Sequence, residues 1–237
     1  MVSAGSIEIT DYTGKFSELV IPETLDGYTV ISIGEQAFDC GNPADPRTPV
    51  LTSIVIPDTV RSIGKSAFSH NEILQSLTLP KYLTVIGEDA FSWCTSLTEV
   101  TLPDTLTSLG NYAFDRCYNL KSINIPVTVN KIGYSAFSWC TSLKEMTLPP
   151  NLQTIGNKTF YSCTALETLT LPSTLTKIGY QSFYNCSSLK SLTVPASVKE
   201  IGEEAFSGCT SLIMKVTSGS AAQSYCKRNR IAFEAVN

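Results

Sequence analysis

Six cysteines, Cys94, Cys117, Cys140, Cys163, Cys186 and Cys209, recur every 23 residues, and Asn71 takes the same place one interval earlier. Thiols in such a file could ligate a metal, join as disulfides or stay reduced. A zinc-type site needs His or paired CxxC thiols, and neither accompanies these. If equivalent cysteines lie one strand spacing apart, roughly 4.8 Å, a disulfide is geometrically conceivable but would pinch alternate layers together. The exchange of Cys for Asn points elsewhere, because both side chains offer a donor to a buried carbonyl. A buried ladder of structural thiols is the expectation, with Cys40 and Cys226 near opposite ends of the molecule. Buried thiols survive export, so the cysteine count leaves the redox compartment open.

His70 is the single histidine. General-base chemistry needs a nucleophile or polarising partner converging on it, and the sequence assembles none. The carboxylates of Asp58, Glu88, Asp89, Asp104, Glu203 and Glu204 fall on solvent positions of different intervals. Every glycine triplet belongs to the repeat described below, not to a phosphate or dinucleotide loop. No catalytic residue, cofactor or metal site is therefore expected. Aromatic residues are more suggestive. Trp93 and Trp139 lie two intervals apart with Arg116 between them, a spacing suited to cation–π stacking. Tyr112, Tyr134 and Tyr161, with Tyr118, Tyr180 and Tyr184, occupy neighbouring outward positions. Such residues either shield the edge of a core or form the kind of anchor found at interaction surfaces. One exposed stripe of Trp93, Arg116 and Trp139 is the testable form of the second reading.

The element that must carry these side chains is a repeat. Pro57 through Pro195, Gly64 through Gly202 and Phe68 through Phe206 each recur seven times at the same interval of 23. In one unit, Glu99-Val100-Thr101-Leu102 alternates as a half-buried strand does, and Pro103, which cannot donate to a ladder, closes it. Leu106 and Leu109 supply further inward anchors. Gly110 reads as a corner with positive φ, and Asn111 to Phe114 as a single helical turn that drops Ala113 and Phe114 into the core. No such coil buries its apolar face alone, so about eight stack into a solenoid on the order of 40 Å long. The strand face then carries Thr78, Thr101, Asn124, Thr147, Thr170 and Thr193, an alternative binding surface. A threonine array suggests ice binding, but the adjacent column contains Glu99 and Glu145 and β-propensity explains the threonines.

Both ends depart from the pattern. Residues 1–18 read as an N-terminal cap, and Ile7, Ile9, the Thr13-Gly14 turn and Leu19 to Pro22 suggest a hairpin leading into the first coil. Residues 19–212 hold the repeats, interrupted by a proline-rich insertion at 41–49. Residues 213–237 form a C-terminal cap, with a helix over 218–230 and a closing strand over 231–236. This makes one domain, 1–237. With 43% apolar and 16% charged residues the chain supports a well-buried core, and a net charge of −4 with scattered cations argues against nucleic acid. Apolar runs are too short for membrane insertion, and Met1 to Gly5 lack the basic start and apolar stretch of a signal peptide. The sequons Asn157-Lys158-Thr159 and Asn185-Cys186-Ser187 accept sugars only in a eukaryotic secretory route.

The unit Leu-x-x-Leu-x-Leu-Pro-x-x-Leu-x-x-Ile-Gly-x-x-Ala-Phe-x-x-Cys, as at Leu74 to Cys94, closely resembles the BspA-like leucine-rich repeats of bacterial surface proteins, over about residues 19–212. The tail Gly219 to Tyr225 with Ile231-Ala232-Phe233 is similar to that family's C-terminal cap. The resemblance implies a leucine-rich-repeat solenoid, β-dominated within the α/β class. It also implies export, display at the cell surface or release outside the cell, and adhesion or protein binding. Thr105 stands where leucine-rich repeats in general carry Asn, which weakens any analogy with eukaryotic receptors of that fold. The resulting expectation is a non-catalytic binding module, a monomer that holds an extracellular-matrix or host-surface protein. Glycan recognition through exposed Trp and Tyr is the alternative. An enzyme of parallel β-helix type is third, and it lacks the stacked acidic or basic file it would need.

Overall fold

A computed structural model describes residues 5–41 and 50–236. Apart from Gly41, the expected insertion at 41–49 lies outside the described residues. Successive coils of the chain build two files of strands and one file of turns. The first strand file runs through Glu18–Val20, Ser53–Val55, Ser76–Thr78, Glu99–Thr101, Ser122–Asn124, Glu145–Thr147, Thr168–Thr170, Ser191–Val194, Ile213–Thr217 and Ala232–Val236. The second holds β1 (Ser6–Ile9), then Tyr28–Ile33 and seven two-residue strands from Ser62–Ile63 to Glu200–Ile201. Regular neighbours pair in parallel with a 23-residue offset, Glu99 beside Ser122 and Ser108 beside Lys131. Val100, Leu102, Leu106, Leu109, Ala113 and Phe114 are all buried, while Glu99 and Thr101 face solvent.

Backbone polar groups explain why the coils lock together. On the strand sides, N–H groups reach back: Thr107, Gly110 and Lys121 donate to Thr84, Ile86 and Thr98 of the preceding coil at 3.0, 2.8 and 2.8 Å. On the turn side they reach forward: Tyr112, Phe114 and Arg116 donate to Tyr134, Ala136 and Ser138 of the following coil at 3.0, 2.9 and 2.8 Å. Both directions are thus satisfied without a helix. The expected helical turn at Asn111 to Phe114 is instead a pair of tight turns, because Tyr112 and Arg116 adopt φ of 55° and 57°, and left-handed residues cannot continue an α-helix.

The glycine file has a different cause from the one expected. Gly110 does not have positive φ; the left-handed residue comes two positions later. A Cβ on Gly110 would overlap the carbonyl carbon and oxygen of Gly87 in the coil below. The glycines mark the closest approach of successive coils, where only hydrogen fits. Beside them, a threonine file replaces the missing Asn: Thr105 Oγ1 donates to Leu83 and Lys81 carbonyls at 2.8 and 3.0 Å, and Thr128 and Thr174 repeat the bond to Leu106 and Leu152.

The core is one continuous apolar cluster around a stack of phenylalanines from Phe38 to Phe206, with ring centroids 4.9–5.9 Å apart and planes within 12°. Two tyrosines end the stack. Tyr12 leans on Phe38 at 5.1 Å, and Tyr225 meets Phe206 edge-on at 6.0 Å. Tyr225 also accepts the Phe206 N–H, at 3.4 Å, which in other coils would reach a following coil. Tyr225 belongs to a helix, Ala221–Asn229, capped by Ser220, and the strand Ala232–Val236 pairs with Ile213–Thr217, as the C-terminal reading expected. At the N-terminus the hairpin falls elsewhere than expected. β1 pairs in parallel with Tyr28–Ile33, and the hairpin joins Thr24–Leu25 to Tyr28–Thr29 through Asp26-Gly27, both with positive φ. An Asp-Gly pair is the turn that right-handed strand twist prefers.

The glycine contacts are unequal, which makes them testable. Gly110→Ala must push backbone against backbone and should cost roughly 3 kcal/mol. A Cβ on Gly156 would have its nearest neighbour at 3.2 Å, so Gly156→Ala should fall within about 1 kcal/mol of the parent, helped by a less flexible unfolded chain. Denaturant unfolding of the two variants decides; equal losses would remove the close-approach explanation.

Candidate binding surfaces

The cysteine ladder is structural chemistry. Each thiol donates to the carbonyl of the core phenylalanine in the preceding coil: Cys94 to Phe68, Cys117 to Phe91, Cys140 to Phe114, Cys163 to Phe137, Cys186 to Phe160 and Cys209 to Phe183, at 3.0–3.3 Å. Asn71 Nδ2 does the same for Phe38 at 2.7 Å. The Cys–Asn exchange in the sequence reflects this shared donor role. Cys94 through Cys186 are buried free thiols, and burial pushes them above the ordinary range, Cys163 to about 12. A thiol that holds its proton is a poor nucleophile.

His70 has neighbours that the sequence did not reveal. Ser69 Oγ lies 2.8 Å and Asp39 Oδ1 3.5 Å from its Nδ1. A Ser–His–Asp relay needs the hydroxyl and carboxylate on opposite ring nitrogens; here both approach the same one, and Ser69 is buried. The signal for Asp39 was its place directly after a core phenylalanine, in a column that otherwise holds Ser69, Ser92, Asp115, Ser138, Tyr161, Tyr184 and Ser207. Among the described residues, no cluster of three or more His, Cys, Asp or Glu side chains is arranged to hold a metal ion.

The aromatic edge divides into two clusters instead of the single stripe expected. In the first, Trp93 is half-buried between His70, stacked at 5.8 Å, and the Arg116 guanidinium, 4.8 Å from the ring centroid. Tyr118 meets the indole edge-on at 6.1 Å. Arg116 covers Trp93 but not Trp139, because its Nη1 is held 2.6 Å from Asp115 Oδ2. Asp115 is itself buried, which pushes its carboxyl up even beside that cation. In the second cluster Trp139, 37% exposed, leans on Tyr161 at 5.9 Å, and Tyr161 stacks on Tyr184 at 4.9 Å and 5°. Lys158 Nζ lies 5.7 Å from the Tyr161 centroid and 6.0 Å from that of Tyr180. Tyr112 and Tyr134 form an edge-on pair at 5.0 Å on the same side of the solenoid. Tyr134, Trp139 and Tyr180 are exposed; Tyr112, Tyr161 and Tyr184 are half-buried. Trp93, Arg116, Trp139, Ser162, Asn185 and Gly208 share left-handed backbone. Gly and Asn suit that conformation; two tryptophans in it are unusual residues to keep.

The strand face is polar from Thr78 to Thr193, with exposed Val20 and Val55 ahead of Thr78 in the same file. Thr78, Thr101, Asn124, Thr147, Thr170 and Thr193 all face solvent. Glu99, Ser122, Glu145 and Thr168 join the middle of that file around a shallow depression of about 540 Å³.

Comparison with known proteins agrees with this geometry. The model of the BspA type leucine rich repeat region, in six copies, matches residues 46–144 and 130–227. A leucine rich repeat protein of T. pallidum has a similar structure, with TM-score 0.66, 25% identity, and coverage of 98% of this chain and 91% of that one. A leucine-rich repeat protein from Eubacterium ventriosum shares the fold at TM-score 0.54 and 22% identity, covering 90% of this chain and 66% of its own. No curated protein matches the chain.

The thiol ladder predicts an alkaline limit. Folded thiols keep their protons while unfolded ones release them near the ordinary value of about 8.5, so stability is complete below that pH and falls as pH rises towards the folded values. Each buried thiol should contribute about 1.4 kcal/mol of loss per pH unit in that window. Replacing Cys117, Cys140 and Cys163 by Ser keeps a donor and removes the titration. Unfolding free energies between pH 8 and 11 should then decline less steeply than in the parent; identical slopes would show that the thiols do not set the limit.

Proposed function

The chain belongs to the BspA-type leucine-rich-repeat family, and from that premise we propose that it is a non-catalytic binding and adhesion module of a bacterial surface or secreted protein. In this reading 1–237 acts as one monomeric domain that holds a protein partner on its turn edge. The observation that carries it is the second aromatic cluster: Trp139, Tyr161, Tyr184 and Tyr180 around Lys158, with Tyr112 and Tyr134 alongside. Tyrosine and tryptophan give large contact areas with few rotors to freeze, and the exposed Asn157 and half-buried Asn185 stand among them as adaptable polar residues do in protein-binding loops. Rings that already hold one another lose less entropy on binding.

Ring geometry favours a protein partner over a glycan. A sugar stacks on a free aromatic face, whereas both faces of Trp93 are taken and Tyr161 and Tyr184 cover one another. That arrangement presents ring edges and hydroxyls, which suit a protein surface. Display outside the cell rests on the family resemblance. No helix among the described residues is long and apolar enough to cross a membrane.

Immobilised extracellular-matrix proteins, screened beside a glycan array, provide the test. The Trp139→Ala, Tyr161→Ala double variant should weaken binding by about 30-fold or more, since a hot-spot aromatic is worth about 2 kcal/mol, with little change in Tm. Trp93→Ala should lower Tm instead, because that ring is sandwiched. Thr101→Ala with Thr147→Ala is the matched control. Loss of binding in the control alone would move the partner to the strand face, and glycan binding without protein binding would overturn the proposal.

A further inference from the structure

The first coil departs from the repeat, and the departure opens a cleft. The hairpin at Asp26-Gly27 stretches this coil, and β1 pairs with Tyr28–Ile33 through a bulge: Ile7 lies beside Val30, but Glu8 lies beside Ser32, leaving Ile31 as the extra residue. Bulges of this kind re-aim the side chains around them. Glu8, Thr29, Ile31, Ser32, Thr59, Arg61 and Ser62 line an open cleft of about 430 Å³ there, large enough for a small molecule.

Its two charged heads are opposite in sign, and each is fixed by its own neighbours. Ser32 Oγ donates to Glu8 Oε2 at 2.9 Å. Arg61 donates to the Asp58 and Val60 carbonyls and lies 4.9 Å over the Tyr82 ring. The Asp58 carboxylate is engaged by Lys81, through both its ammonium and its backbone N–H at 2.8 Å. Thr59 adds a third feature. It sits in the file where Thr105, Thr128 and Thr174 bond to the coil below, yet its hydroxyl is buried without a hydrogen-bond partner. Ser197 shares that lack, so the orphan hydroxyl alone does not make a site. What distinguishes Thr59 is the hydroxyl-lined cleft beside it, with a carboxylate at one side and a guanidinium at the other.

We propose that this cleft binds a free α-amino acid, its ammonium on Glu8 and its carboxylate on Arg61, with the hydroxyls of Thr29, Ser32, Thr59 and Ser62 between. Glu8 lies on β1, and Arg61 directly precedes the strand Ser62–Ile63, two strands away in the same sheet. That places their backbones roughly 10 Å apart. Both residues line the same cleft, so an amino acid's ammonium and carboxylate can each take one charge-assisted bond, of about 2.8 Å, from opposite sides. Ile31 gives an aliphatic side chain a surface to rest on.

The test is a titration of the ¹⁵N-labelled full chain with L-leucine and L-alanine, followed by amide shifts. Saturable changes confined to Glu8, Ile31, Ser32, Thr59 and Ser62 are expected. N-acetyl-leucine and leucinamide, each lacking one charge, should bind at least tenfold more weakly. Glu8→Gln and Arg61→Gln should each lose tenfold or more, and Thr59→Val should weaken binding without lowering Tm. No shift at these residues with either amino acid would overturn the assignment, as would equal binding of the blocked forms. The blocked ligands probe the parent chain, so they decide the matter even where a variant folds poorly.

Discussion

Everything in this molecule depends on the distance between one coil and the next. Parallel hydrogen bonds set it on both sides of the coil, pulling backward along the strands and forward along the turns. At that separation only glycine fits at the tightest point, where Gly110 meets Gly87. The same separation lets flat rings ride on one another, which is why a stack of phenylalanines runs through a core otherwise built mainly of Leu, Ile and Val. It also brings each thiol within reach of the carbonyl one coil away. A coil can lengthen only where the files do not pass: Phe38 and Phe68 are more than 23 residues apart, yet their rings stack, Asn71 reaches the Phe38 carbonyl and Gly64 abuts Gly34.

This explains what the sequence revealed and what it concealed. Identity at a fixed interval disclosed the coils and the inward positions, because each depends on residue type alone, and the end of that pattern after residue 212 disclosed the C-terminal cap. The Cys–Asn exchange disclosed a donor, because only that property is common to both. The reason for glycine was hidden, since close approach and positive φ demand the same residue. The left-handed positions were hidden for the opposite reason: Tyr112, Arg116 and Trp139 occupy them, and nothing in those side chains advertises the conformation. The Arg116 orientation depended on Asp115, one residue away and in a column that mixes Ser, Asp and Tyr, a local detail that periodicity averages out.

Left-handed backbone at non-glycine residues costs on the order of 1–2 kcal/mol each, and this chain carries two such files along its turn edge. The cost is borne because those residues lie in the forward-reaching ladder: Arg116 donates to Ser138, and Trp139 to Tyr161 at 2.7 Å. Backbone bonding therefore fixes the turn whatever side chain it carries. His, Trp, Arg, Ser, Asn and Gly all occupy one file from His70 to Gly208. The strand face lacks that freedom, because each outward residue there stands on a strand whose alternate positions must remain in the core. A solenoid built this way keeps its interior fixed and lets the turn edge vary, coil by coil. Apart from the sandwiched Trp93, aromatic residues gathered on that edge cost the fold little to keep or to lose, and the proposed binding surface draws on that freedom.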